Sequence, residues 1–257
     1  MALPIWIPDA LRSEPKPLDQ GYWRCVEAQH VVSTMRLVDT LDDQALLEDI
    51  LETTKPPIPP DCQHLHYLYS TPFRYGLYPN GSRFRRAGQT PGVYYVSEHQ
   101  ETALIETAFH LLLFYSDSPG TPFPKHPSKH TAFNVPVKTS SAIHLTKPPF
   151  NEARGLWKHP TEYEPCQTLE EDARTAGVEL ITYASARDPS ARTNAAILTC
   201  AAFADRQPTL FKGWTLLFNK AGLHAISEMN DTRFSLKPDA FSNDPRLKKL
   251  DWEARAV

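Results

Sequence analysis

Between residues 98 and 115, apolar side chains recur on every face of the helix their spacing predicts: Leu104, Ile105, Phe109, Leu111, Leu112 and Leu113. A helix this apolar all round is expected to be buried. The preceding PGVYYVS is β-branched and aromatic after a Pro-Gly turn and predicts a strand. Ser97 and Gln100 form a capping box at the helix start. Further upstream, residues 1 to about 35 read as extended and irregular. TLDDQALLEDILE predicts a helix capped by Thr40, with Asp43 in its first turn and an apolar stripe of Leu46, Leu47, Ile50 and Leu51. KPPIPP stops it. Downstream, TAFNVPVKT and SAIHLT read as strands. TLEEDARTAG reads as a short helix boxed by Thr168 and Glu171, with Gly177 past its end. VELITYASARDPSARTNAAILTCAAF reads as two strands joined by a polar loop, and WTLLFN with LHAIS as a hairpin turning at Lys220-Ala221-Gly222. Strands outnumber helices without alternating with them, so the pattern predicts an α+β fold rather than a doubly wound sheet. The expected division is an N-terminal extension over residues 1–60, with one amphipathic helix lying on the main domain, and a second unit over 61–257.

Composition adds exclusions. With 257 residues and a net charge of -3, signs mixed, the chain is long enough for a sizeable core and offers no basic field for direct nucleic-acid binding. No apolar run approaches the roughly 18 residues a membrane span needs. MALPIWIPDALRSEPKP lacks a basic stretch followed by an apolar one, so no signal peptide is expected and the location expected is cytoplasmic. Cys25, Cys62, Cys166 and Cys200 are far apart and form no CxxC, which predicts reduced thiols with neither zinc nor disulfide. His64 and His66 alternate like strand residues and lack a third ligand, so no metal is expected; His126 and His130 read as exposed in a Pro/Lys-rich loop. There is no GxGxxG, no GxxxxGK[ST] and no GxSxG, so Rossmann, P-loop and serine-hydrolase sites are all unsupported.

Against this background Glu106 stands out. Its helix face-mates are Thr102, Ala103, Phe109 and His110. An unpaired buried carboxylate costs several kcal/mol, so Glu106 reaches the surface, meets a cation or faces a cleft. The commoner case is a structural ion pair or a solvent-edge glutamate. Arg74, Arg83, Arg85 and Arg86 are interleaved with Phe73, Tyr75, Phe84, Tyr94 and Tyr95; Arg85 and Arg86 read as a solvated loop face, whereas Arg74 and Arg83 sit in ordered-looking segments suited to anionic oxygens. Ser185 comes where an apolar strand opens into a polar loop, a common place for ligand-binding side chains, although a serine in a turn is usually structural.

An arginine, a glutamate and a serine in this order and setting resemble the RES domain family. YSTPFRYG, GSRF and PGVYYVSEHQETALIE resemble its first half, and LITYASARDPSARTNAAIL, with Tyr183, Ser185, Arg187 and Asn194, its serine segment; the similarity covers about residues 67–205. The family's Gly-x-Arg-Trp-Asn turn is here Ser-Arg-Phe-Arg, which shifts the possible match among Arg83, Arg85 and Arg86. The resemblance implies an ADP-ribosyltransferase-like core of small twisted β-sheets with flanking helices, from about residue 60 to 237. It implies a toxin paired with an Xre-type antitoxin and acting on NAD+ as substrate, by hydrolysis or phosphorolysis, without a metal. A mono-ADP-ribosyltransferase acting on a protein is the nearest alternative, and a non-enzymatic binding module the other. In the implied site Glu106, Arg74 and Ser185 are catalytic, and Arg74, Arg83, Tyr95, Ser185 and Asn194 hold NAD+. Tyr94 and Tyr95 alternate on their strand, so one faces the site, with Tyr95 favoured.

Overall fold

A computed structural model describes residues 11–28, 34, 37–76, 79–88 and 91–255. Its strands are β1 (Lys16–Glu27), β2 (Tyr94–Ser97), β3 (Ser128–His144), β4 (Leu180–Ala184), β5 (Thr193–Ile197), β6 (Phe211–Asn219), β7 (Gly222–Ser227) and β8 (Arg233–Leu236). Its α-helices are α1 (Leu41–Thr54), α2 (Tyr67–Arg74), α3 (Gln100–Asp117), α4 (Arg154–Trp157), α5 (Glu164–Thr175) and α6 (Trp252–Arg255). All eight strands join one sheet, in the order β1-β2-β5-β4-β3-β6-β7-β8, with β1 also paired to β3. The expected small sheets are therefore one, and its extra pairing closes β1, β2, β5, β4 and β3 into a ring from which β6–β8 continue as a meander. Every pairing is antiparallel except β3–β4. This agrees with a mixed fold and not with a doubly wound one.

Alternation sends the two sides of the ring into different cores. Tyr94 and Val96 of β2 and Ala195 and Ile197 of β5 pack with Tyr69 and Phe73 of α2 and with Phe203. On the other side Ile181, Tyr183 and Ala196 pack with Phe84, Trp157 and Leu169. Helix α3 buries Leu104, Ile105, Phe109 and Leu112 against Trp214, Leu216, Phe218 and Phe241. Fully burying each such side chain contributes about 1.5–3 kcal/mol, which fixes α3 firmly on the sheet.

Several local expectations change. Residues 16–27 are not part of an appended segment: β1 pairs with β3 from Glu27↔His130 to Lys16↔Ala142, so the division near residue 60 cuts through the sheet. Helix α1 is capped as expected, Thr40 accepting from the Asp43 amide, but it buries none of its residues, and Leu46, Ile50 and Leu51 of its stripe remain exposed. TAFNVPVKT and SAIHLT fuse into the single strand β3. Helix α5 starts at Glu164, with Pro165 in its first turn, so Thr168 is an interior residue and not a cap. Ser97 does not cap α3; its hydroxyl turns to β5 instead. His66 caps α2 through its ring nitrogen, and His130 is buried in β3. Arg85 is also buried, its guanidinium held by the carbonyls of Tyr75 and Gly76. Cys62 and Cys200 form a disulfide, contrary to the expectation of four thiols; Cys25 and Cys166 stay free and buried. The β6–β7 hairpin turns where expected, between Asn219 and Gly222.

Candidate active site

Glu106 leaves α3 toward the sheet face that carries Tyr95, Ser97, Asn194 and Tyr183. Residues of this face, of α3 and of the loops beyond line a cleft of about 320 Å³. The half-buried carboxylate is received there by neutral donors: the Ser185 hydroxyl and the Asn194 side-chain amide each donate to its Oε1 at 2.6 Å. Ser97 donates to the Asn194 carbonyl oxygen at 2.7 Å, which leaves the NH2 group facing Glu106. Among the described residues Oε2 has no hydrogen-bond partner and Glu106 forms no ion pair, so this oxygen remains open to the cleft.

Ser185 is itself fixed. Fully buried, its oxygen accepts from the backbone amides of Arg187 at 3.1 Å and Asp188 at 2.9 Å. Its single proton is therefore directed at Glu106. The loop that does this is clamped to the first turns of α3: Asp188, buried, accepts from Thr102 at 2.7 Å and from Arg192 at 2.6 Å, and Arg192 reaches on to Glu101 at 2.5 Å. Burial pushes the Asp188 carboxyl up, but the hydrogen bonds from Arg192, Thr102 and Ser190 outweigh it and hold it below the usual carboxylate range.

Four arginines line the same cleft. Arg83 donates to the Trp157 carbonyl at 2.7 Å and lies 4.9 Å from the Tyr163 ring centre. Arg187 donates to the Pro160 carbonyl at 2.9 Å and the Tyr163 hydroxyl at 2.7 Å, and its guanidinium covers the Phe109 ring at 4.2 Å; its Nη1 is buried without a partner. Arg246 meets Asp244 at 2.8 Å and the Tyr163 hydroxyl at 3.1 Å. Arg24, from β1, donates to the Tyr95 carbonyl at 2.9 Å. The Tyr95 hydroxyl is tied to the turn that carries Arg83, 2.8 Å from the Ser82 hydroxyl and accepting from the Phe84 amide at 3.0 Å.

Of the residues expected in the site, Glu106, Arg83, Tyr95 and Asn194 line the cleft, and Ser185 meets Glu106 from beneath. Tyr94 points the other way, into the core with Phe73, as the alternation requires. Arg74 is the correction. At the end of α2 its guanidinium turns away from the cleft to Glu52 of α1 at 2.6 Å and to the Pro56 carbonyl. Arg24, His110, Tyr163 and Arg246 were not anticipated as lining residues. Arg24 falls in the stretch that reads as an irregular extension, although the aromatic and apolar residues of QGYWRCV around it carry a weak strand signal. Arg246 lies beyond the segments that carried the resemblance. No metal-ligating cluster lines the cleft among the described residues; the one grouping of that kind, Asp61 with Cys62 and Cys200, has both sulfurs bonded to each other.

A model of the RES domain matches residues 58–219. Among solved structures, the chain is similar to a chain in the crystal structure of the M. tuberculosis MbcT–MbcA toxin–antitoxin complex, with 12% identity and a TM-score of 0.46, over 79% of this chain and 87% of that one. No curated protein matches.

Proposed function

The chain belongs to the RES domain family, and on that premise we propose that it is an enzyme that breaks the nicotinamide–ribose bond of NAD+ and serves as the toxin of a toxin–antitoxin pair. The observation that carries this reading is the state of Glu106: a carboxylate held by two neutral donors, unpaired with any cation among the described residues, in a cleft lined by four arginines. Cleavage of a glycosidic bond to a good leaving group develops positive charge on the ribose, and a fixed, partly desolvated carboxylate stabilises that charge. Oε1 is occupied by Ser185 and Asn194, which leaves Oε2 for the ribose. The diphosphate requires cations with forked donors; Arg83, Arg187 and Arg246, gathered around Tyr163, offer them. The Tyr95 ring, with its hydroxyl anchored, offers a face for nicotinamide.

The same constellation serves transfer of ADP-ribose to a protein, since the bond broken is the same; no feature of the cleft favours that reading over NAD+ degradation. The reading includes action in the cytoplasm, where NAD+ is abundant, and restraint by an antitoxin of the Xre type covering the cleft. No helix of the described residues is long and apolar enough to cross a membrane. The test is incubation of the pure protein with NAD+ and quantification of free nicotinamide. Release above the uncatalysed rate is expected, and its absence in folded, antitoxin-free protein would end the proposal.

A further inference from the structure

His110 follows Glu106 by four residues on α3, so the two side chains leave the same helix face, about 6 Å apart along its axis, and both line the cleft. The other charged side chains there are tethered: Arg24, Arg83, Glu106, Arg187 and Arg246 each make at least one hydrogen bond to the protein. Among the described residues, neither ring nitrogen of His110 has a partner. Among the described residues the imidazole is thus a proton-transfer group of the cleft that makes no hydrogen bond to the fold.

We propose that His110 is the base that takes a proton from the water attacking the ribose carbon. This rests on the NAD+-cleaving reading above and adds the acceptor to it. The C1′–N bond breaks with its electron pair returning to the pyridine nitrogen, which releases neutral nicotinamide. A water lone pair forms the new C1′–O bond. One water proton passes to a ring nitrogen of His110 and then to solvent, so NAD+ and water give nicotinamide, ADP-ribose and a proton. The ring must be neutral to do this. Crowding by the protein lowers its proton affinity, Glu106 of the same helix raises it, and Arg187, Arg246 and Arg24 from the surrounding elements lower it again; the outcome is a value below the ordinary histidine range. A ring so placed is free to accept a proton at neutral pH.

Nicotinamide release by the full-length wild type, His110→Gln and Glu106→Gln, followed from about pH 5 to about pH 8, tests this. The wild-type kcat is expected to fall on the acid side with an inflection below about 6.5, the ordinary histidine value. His110→Gln is expected to lose about 100-fold or more in kcat, to lose that inflection and to keep its KM. The His110 ring makes no hydrogen bond to the protein among the described residues, so the variant should fold, which a matched melting curve checks, and His110→Asn should repeat the result. A wild-type kcat and inflection in His110→Gln, or a change in KM alone, would overturn the assignment. So would turnover that requires added inorganic phosphate and runs equally in both proteins. If Glu106→Gln is inactive while His110→Gln matches wild type, the site stands and the base does not. If the wild type releases no nicotinamide, the functional reading and this inference fall together.

Discussion

Replacing Glu106 by Gln removes one charge and almost no volume, and the surroundings of the carboxylate set what that does. Its Oε1 accepts two hydrogen bonds at 2.6 Å, both from neutral donors. A glutamine Oε1 accepts the same two bonds, with the NH2 group taking the place of Oε2 toward the cleft. Hydrogen bonds to a charged group contribute about 1.5–3 kcal/mol and neutral ones about 0.5–1.5, so the pair weakens by about 2 kcal/mol in all. Relief of a half-buried charge offsets part of this. The expected loss of stability is therefore about 1 kcal/mol or less, a Tm shift of about 2–4 °C. The rate behaves differently. An electrostatic contact made only as the ribose becomes cationic commonly contributes a factor of about 100 to 1,000 in kcat, or about 2.7–4 kcal/mol. Nicotinamide release and thermal melting measured on one Glu106→Gln preparation separate the two quantities, and calorimetric titration with NAD+ should show binding retained. Had Glu106 closed an ion pair, the substitution would strand an arginine, and the loss would fall on stability while activity survived. A folded Glu106→Gln protein that turns over at the wild-type rate refutes the catalytic assignment.

Three further outcomes are expected. Arg74→Ala should leave turnover unchanged and cost less than about 1 kcal/mol of stability, because its partner Glu52 is 56% exposed; a large fall in kcat/KM would return Arg74 to the site. Asp188→Asn should cost about 3 kcal/mol or more and lower turnover by loosening the loop that aims Ser185 at Glu106. Because the folded protein holds the Asp188 carboxyl below its ordinary range, its contribution is complete above that range and is lost as pH falls through the lower folded value, so the Tm gap between wild type and Asp188→Asn should close in acid. In unfolded, unreduced protein a thiol reagent should find two reactive cysteines, not four, and Cys200→Ser should lower stability by about 5 kcal/mol, given that the bridge spans 138 residues.

What the sequence revealed depended on how local each signal was. The all-round apolar periodicity of α3 and the alternation of Tyr94 and Tyr95 are short-range, and both match the structure. β1 was missed because its buried positions Leu18, Tyr22 and Cys25 do not alternate strictly; a register shift between Lys16 and Leu18 interrupts the pairing, and the strand lies between two neighbours. Ser97 obeyed the local rule for a helix cap and was drawn instead to Asn194, a partner 97 residues away that only the closed ring brings near. The Cys62–Cys200 pair and the approach of Arg246 to Tyr163 are likewise products of the tertiary fold, with nothing in their neighbouring residues to announce them. Arg74 fails for the complementary reason: its segment reads only as ordered and is in fact a helix, and the direction of a long side chain at a helix end depends on what packs beside it, here Glu52 and the Pro56 carbonyl.

The placement of the arginines explains how a carboxylate can remain unpaired and available inside an apolar helix. Four guanidinium groups share the cleft with Glu106, and in a medium of low dielectric the nearest would be expected to collapse onto it. Each is restrained. Arg83 is held by the Trp157 carbonyl, Arg187 by the Pro160 carbonyl and the Tyr163 hydroxyl, Arg246 by Asp244, and Arg24 by the Tyr95 carbonyl. Tyr163 and Phe109 provide aromatic faces that stabilise cations without neutralising them. Asp244, buried beside Arg187 and Arg246, takes up part of their charge. Ser185 and Asn194 meanwhile solvate Glu106 without cancelling its charge. The cleft thus keeps negative and positive poles separate, the arrangement that suits the proposed substrate, anionic at its diphosphate and turning cationic at its ribose.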